Sequence, residues 1–298
     1  MQQKDMHPVN KVAKTDQIPL PFEAARIYED TVLEWASAQS LPARIVAMRD
    51  RVYGPDPQHR YDVYRAVDVH DAPILMFWHG GGWTNGYKEY AAFMAQGVVE
   101  LGMVLVTPAY RLAPLHRLPA AFEDSLAAVA HVIAHAADFG ARGDRIYLAG
   151  HSAGAHLAAS VALRREDAAQ AGIPSAAIRA CLPISGIMDL HHPEPASSSM
   201  EERIYTMVLS HNADDAVMSP LCWTAGNSIP IWLSHGESDS ARVIHSNRRM
   251  AALLAVQPGP CQLHVEGGLD HFSTHTSLRD PAAPWYDRLA RTVKETQP

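Results

Sequence analysis

Six short, continuous apolar runs recur along the chain, at residues 73–78, 103–106, 145–149, 181–184, 231–233 and 262–265. A strand with one wet face alternates polar and apolar residues, whereas a run that is apolar throughout must be covered on both faces. Residues 89–101, 119–139, 153–168 and 241–255 separate most of these runs and carry Ala, Leu, Met and Val at helical spacing. Strand and helix in alternation imply a mainly parallel sheet with helices packed on both sides. Ahead of this pattern, residues 44–53 and 61–67 flank Gly54-Pro55-Asp56-Pro57 and read as an antiparallel strand pair. The total is a sheet of about eight strands in an α/β chain.

No linker, low-complexity tract or repeat divides the sequence, so residues 1–298 are expected to form one domain. Residues 22–39 read as a helix before the first strand, and residues 189–219 are irregular with an amphipathic stretch near 201–210. Both are candidate cap elements over a site on the loops at the strand C-termini. The net charge of −7 disfavours nucleic acid and anionic membranes as partners. No apolar stretch reaches the roughly 18 residues of a membrane span. No basic segment followed by an apolar run opens the chain, so a cytoplasmic location is expected. Cys181, Cys222 and Cys261 are scattered, which favours buried free thiols over disulfides or a zinc ribbon.

Gly150-His151-Ser152-Ala153-Gly154 follows one apolar run and precedes an Ala-rich helix. In that setting G-x-S-x-G makes a sharp strand-to-helix turn with the serine hydroxyl exposed at its tip. Glycine is needed on either side because a Cβ there would collide with the turn. Ser152 is the predicted nucleophile, sitting where the helix dipole favours a developing anion.

His79-Gly80-Gly81-Gly82-Trp83 follows the run at 73–78. Glycines let backbone N–H groups approach a ligand oxygen, as an oxyanion hole requires. The predicted donors are the N–H groups of Gly81, Gly82 and Ala153. His79 is read as pinning this loop by hydrogen bonds.

A serine hydroxyl needs an imidazole to take its proton and a carboxylate to hold the imidazole. Residues 231–233 run into Ser234-His235-Gly236-Glu237-Ser238-Asp239, and residues 262–265 run into a Gly-rich loop ending at Asp270-His271. The order Ser, acid, His makes Asp239 the predicted acid, with Glu237 as alternative, and His271 the base. Asp270 adjoins His271 and is poorly placed to reach round to its Nδ1. Of the remaining histidines, His264 is read as a strand residue, and His245 and His275 as surface. His131 and His135 lie one helical turn apart without the acidic residue of H-E-x-x-H, and are read as a helix face rather than a metal site.

Together these motifs resemble the hormone-sensitive-lipase-like esterases of the α/β-hydrolase fold. Tyr110-Arg111-Leu112-Ala113-Pro114 and the stretch from Leu118 to Asp124 look like their next strand and helix, and the resemblance spans about residues 73–275. It implies a carboxylesterase using Ser152, Asp239 and His271 with no metal or organic cofactor. A second resemblance, to kynurenine formamidases, rests on Gly82-Trp83-Thr84-Asn85-Gly86-Tyr87-Lys88, residues 185–190, Ser219-Pro220 and His271-Phe272-Ser273. The esterase is the first expectation and an arylformamidase or amidase the second. A non-catalytic ligand-binding homologue is the alternative of another class. The partner is then a small-molecule ester or amide, and a homodimer is compatible with the sequence. The three-glycine loop leaves space for a small or medium acyl group, with Trp83, Phe22, Tyr28, Met207 and Leu221 as apolar pocket candidates.

Overall fold

The computed structural model describes residues 17–296. Its eight strands form one sheet in the order β1-β2-β4-β3-β5-β6-β7-β8. They are β1 Ile45–Val52, β2 Arg60–Ala66, β3 Ala72–Trp78, β4 Val104–Pro108, β5 Ala141–His151, β6 Ile178–Ile184, β7 Ile231–Gly236 and β8 Cys261–Glu266. β2 runs antiparallel to both β1 and β4, and every other pairing is parallel.

The helices are α1 Glu23–Ala38, α2 Ala95–Glu100, α3 Ala120–Ala134, α4 Ala153–Leu163, α5 Arg165–Gln170, α6 Met200–Arg203, α7 Ala241–Leu254, α8 Ser273–Thr276 and α9 Pro284–Glu295. The helix expected at 89–101 starts as a 3-10 turn, Lys88–Met94, before α2. That expected at 153–168 breaks at Arg164 into α4 and α5.

β3 shows why its sequence is apolar without alternation. Ile74, Met76 and Trp78 point into a core with α3, α4 and α7, while Leu75 and Phe77 pack with α2 and α9 on the other face. Every residue of β3 and β4 is buried. α9 lies beyond the segments assigned from pattern, although Trp285, Leu289 and Val293 carry a clear helical stripe into the second core.

Two expectations about side chains fail. Cys181 is buried in β6, but Cys261 is half-buried at the start of edge strand β8 and Cys222 is exposed on a 3-10 turn. His275 is not on the surface: α8 turns inward and stacks its ring between Phe77 and His151, at 5.1 Å from each. Among the described residues no helix is long and apolar enough to cross a membrane.

Candidate active site

Central parallel strands end on one edge of the sheet, and their following loops converge there. β5 runs directly into α4 through Ser152, whose φ of 56° and ψ of −118° lie outside the regions favoured by L-residues. Such a conformation costs about 1–3 kcal/mol and persists only where the surroundings enforce it. The enforcement is steric. A Cβ on Gly150 would sit 2.5 Å from the Gly154 backbone, and one on Gly154 would sit 2.1 Å from the Trp78 carbonyl oxygen. The Ser152 N–H donates to the Ile184 carbonyl at 2.9 Å, tying the turn to the end of β6.

The loop after β8 brings His271 to this serine. Its Nε2 is 2.9 Å from Ser152 Oγ, and its Nδ1 is 2.8 Å from Asp239 Oδ1. Asp239 hangs from the loop after β7 with its side chain fully buried, and the imidazole is 24% exposed. Burial pushes the Asp239 carboxyl up, but the adjoining His271 ring and the Ser240 N–H outweigh it and leave the acid below the usual carboxylate range. Glu237 is turned away, accepting from the Gly268 N–H at 2.8 Å. Asp270 caps its own loop, accepting from the N–H groups of Phe272 and Ser273.

The loop after β3 folds back tightly. Gly81 has φ 117°, and a Cβ there would be 2.0 Å from the Asn85 carbonyl oxygen. Gly82 has φ 61° but open space, with nothing nearer than 3.8 Å. Among the described residues, no acceptor engages the N–H groups of Gly81, Gly82 or Ala153. The His79 ring stacks on Tyr110 at 4.3 Å and donates through Nδ1 to the Gly80 carbonyl. Burial pushes the His79 pKa down to about 4, so the ring is a neutral brace. The Ala113 N–H holds the Trp83 carbonyl at 2.9 Å, and Asp124 clamps Arg111, so the 110–124 run buttresses this loop.

A cavity of about 380 Å³ opens onto Ser152, His271, Gly81 and Gly82. Of the predicted pocket residues, Phe22, Tyr28 and Trp83 line it. Met207 and Leu221 do not. Met207 falls on the wrong side of the Ile204–Val208 π-helical turn, whose Ile204 and Val208 face the cavity instead. Leu221 is buried beneath, with its N–H on the Met188 carbonyl. Asp215 ties the 189–215 segment together, accepting from His191 Nδ1 and the Tyr205 hydroxyl, each at 2.7 Å.

Residues 75–275 match the family described as alpha/beta hydrolase fold. The chain belongs to this family. It is 33% identical to the esterase LipQ of Mycobacterium tuberculosis over 218 residues, 69% of this chain and 52% of that protein. It is 28% identical to a probable isoprenylcysteine alpha-carbonyl methylesterase of Oryza sativa, covering 82% of this chain and 61% of the relative. The chain thus spans between half and two thirds of the length of these curated relatives. The carboxylesterase EstE1 from a metagenomic library has the same fold, with a TM-score of 0.76 at 22% identity over 93% of this chain and 98% of its own. A Pyrobaculum calidifontis esterase aligns with a TM-score of 0.74 at 22% identity, over 91% of this chain and 92% of its own.

Within this alpha/beta hydrolase fold, several residues at the site gave weak or no sequence signal. Met200, Ile204 and Val208 repeat every four residues, a weak signal that does not by itself distinguish them from Met207. Nothing local in the sequence marks Arg203 or Arg242, because their side chains line a cavity formed by distant segments. His151 occupies a variable position of the G-x-S-x-G elbow, and its Nε2 reaches the His271 carbonyl at 2.7 Å.

Proposed function

We propose that this chain is a serine-dependent carboxylic ester hydrolase working through an acyl-enzyme. The observation that carries the reading is the continuous relay from Ser152 Oγ through His271 to Asp239, with spacings of 2.9 and 2.8 Å. Ser152 attacks the ester carbonyl carbon as His271 Nε2 takes its proton. Asp239 fixes the tautomer with Nδ1 protonated and stabilises the imidazolium. Negative charge collects on the carbonyl oxygen, where the N–H groups of Gly81, Gly82 and Ala153 and the N-terminus of α4 receive it. His271 then returns the proton to the departing alkoxide, leaving Ser152 acylated. Water attacks the acyl-enzyme with the same imidazole as base, releasing the acid and restoring the serine.

The cavity lies near the low end of the roughly 300–1,000 Å³ common for small-molecule sites, which supports a small or medium acyl group. We read α1 and residues 189–219 as a cap on a single domain, a reading supported by the cavity residues both supply.

The test is an acyl-length series of p-nitrophenyl esters run beside N-formylkynurenine, with fluorophosphonate labelling of wild type and Ser152→Ala. Turnover peaking at short or medium esters, with labelling lost in the variant, is expected. An unreactive Ser152 would favour the binding-protein reading, and faster turnover of N-formylkynurenine would favour the formamidase.

A further inference from the structure

The cavity wall is mostly apolar, yet it carries three charged side chains, Glu201, Arg203 and Arg242. Arg242, in the first turn of α7, is already engaged. Its Nη2 donates to the Asp189 and Leu190 carbonyls at 3.3 and 3.1 Å, and its Nη1 lies 3.5 Å from Glu201 Oε1. That pairing offsets the charge of Glu201. Arg203 is different. Among the described residues its guanidinium makes one hydrogen bond, from Nη2 to the Thr84 hydroxyl at 3.5 Å, and no ion pair. Thr84 belongs to the loop after β3, and Arg203 lines the same cavity as Ser152.

Among the described residues Arg203 is therefore a cation without an ion-pair partner on a largely apolar cavity wall, on a chain whose net charge is −7. Arg203 is half-buried, so its guanidinium is partly withdrawn from water, and a guanidinium suits a carboxylate through paired N–H donors. We propose that the ester cleaved here carries a free carboxylate, which Arg203 recognises from the cavity wall. This rests on the hydrolase reading above. Arg203 acts on binding of the anionic substrate, and no bond forms or breaks at it.

A structural alternative makes Arg203 a latch that fastens α6 to Thr84. The two differ in what a substitution does. A latch affects all substrates alike, whereas a carboxylate reader changes their ratio. The experiment compares kcat/KM for two matched pairs, monomethyl against dimethyl adipate and p-butanoyloxybenzoate against p-butanoyloxybenzamide. Wild type, Arg203→Gln and Arg203→Lys are assayed, with thermal unfolding as a fold control. Wild type should prefer the anionic member of at least one pair. Arg203→Gln should reduce that ratio about tenfold or more, Arg203→Lys should restore part of it, and added salt should erode it. Equal effects on both members, or preference for the neutral member of both pairs, would overturn the proposal while leaving the esterase reading intact. Failure of wild type to cleave any of these esters, with Ser152 unlabelled, would remove both.

Discussion

The Nε2 of His151 lies 2.7 Å from the backbone carbonyl oxygen of His271. A carbonyl only accepts, so Nε2 of His151 carries a proton and donates. Burial, reinforced by the neighbouring His271 and His275, holds its pKa well below the usual histidine value. The elbow residue thus grips the loop that carries the imidazole facing Ser152. On the far side, His275 stacks on the His151 ring and meets the Tyr28 hydroxyl at 2.7 Å, linking α1 to the same loop.

That grip makes His151 a positioning residue. His151→Phe should keep the stacking and lose the bond, lowering kcat by about 10- to 100-fold with little change in KM, because small misplacement of a base is expensive. His151→Gln, which keeps an N–H donor, should recover part of the loss. Steady-state kinetics on one activated ester checks both.

The relay itself predicts steeper losses. Ser152→Ala and His271→Ala should each lower kcat by at least about 10,000-fold, and the double variant by little more, because the groups act as a unit. Asp239→Asn should cost about 100- to 10,000-fold, since an amide cannot hold the same tautomer. Undiminished turnover by Ser152→Ala would end the mechanism proposed here.

Two adjacent glycines should respond differently. A Cβ on Gly81 would lie 2.0 Å from a backbone oxygen, so Gly81→Ala must reshape the loop. Its expected loss in kcat is about 100-fold or more, that of a missing oxyanion donor. Gly82→Ala meets only the strain of φ 61° for an L-residue, about 1–2 kcal/mol, and should retain most activity. Kinetics paired with melting temperatures separates the two effects.

Stability should fall in mild acid. Burial pushes His79 and His156 down to about 4 and His275 to about 3, and it also lowers His151. The unfolded chain binds these protons near pH 6.5 and the folded chain does not, so ΔG of unfolding rises with pH between about 4 and 6.5. Each such group contributes up to about 1.4 kcal/mol per pH unit within that window. Urea titrations at pH 7.5 and 5.5 should show a lower midpoint in acid, and His275→Phe should flatten the dependence. A midpoint independent of pH would contradict the neutral burial of these rings.

The alternation of apolar runs and helices, the glycine-flanked Ser152 and the glycine loop after β3 were all legible in the sequence. Each is a local demand: a strand covered on both faces must be apolar along its length, and a turn with no room for a Cβ must use glycine. The sequence also put Asp239 ahead of Glu237, and it is Asp239 that meets His271, but only the tertiary structure sent His275 inward and chose Ile204 and Val208 over Met207 for the cavity wall. Those outcomes depend on which side chains of distant segments meet once the sheet is assembled, and on the low dielectric they then share. No spacing along the chain encodes that directly.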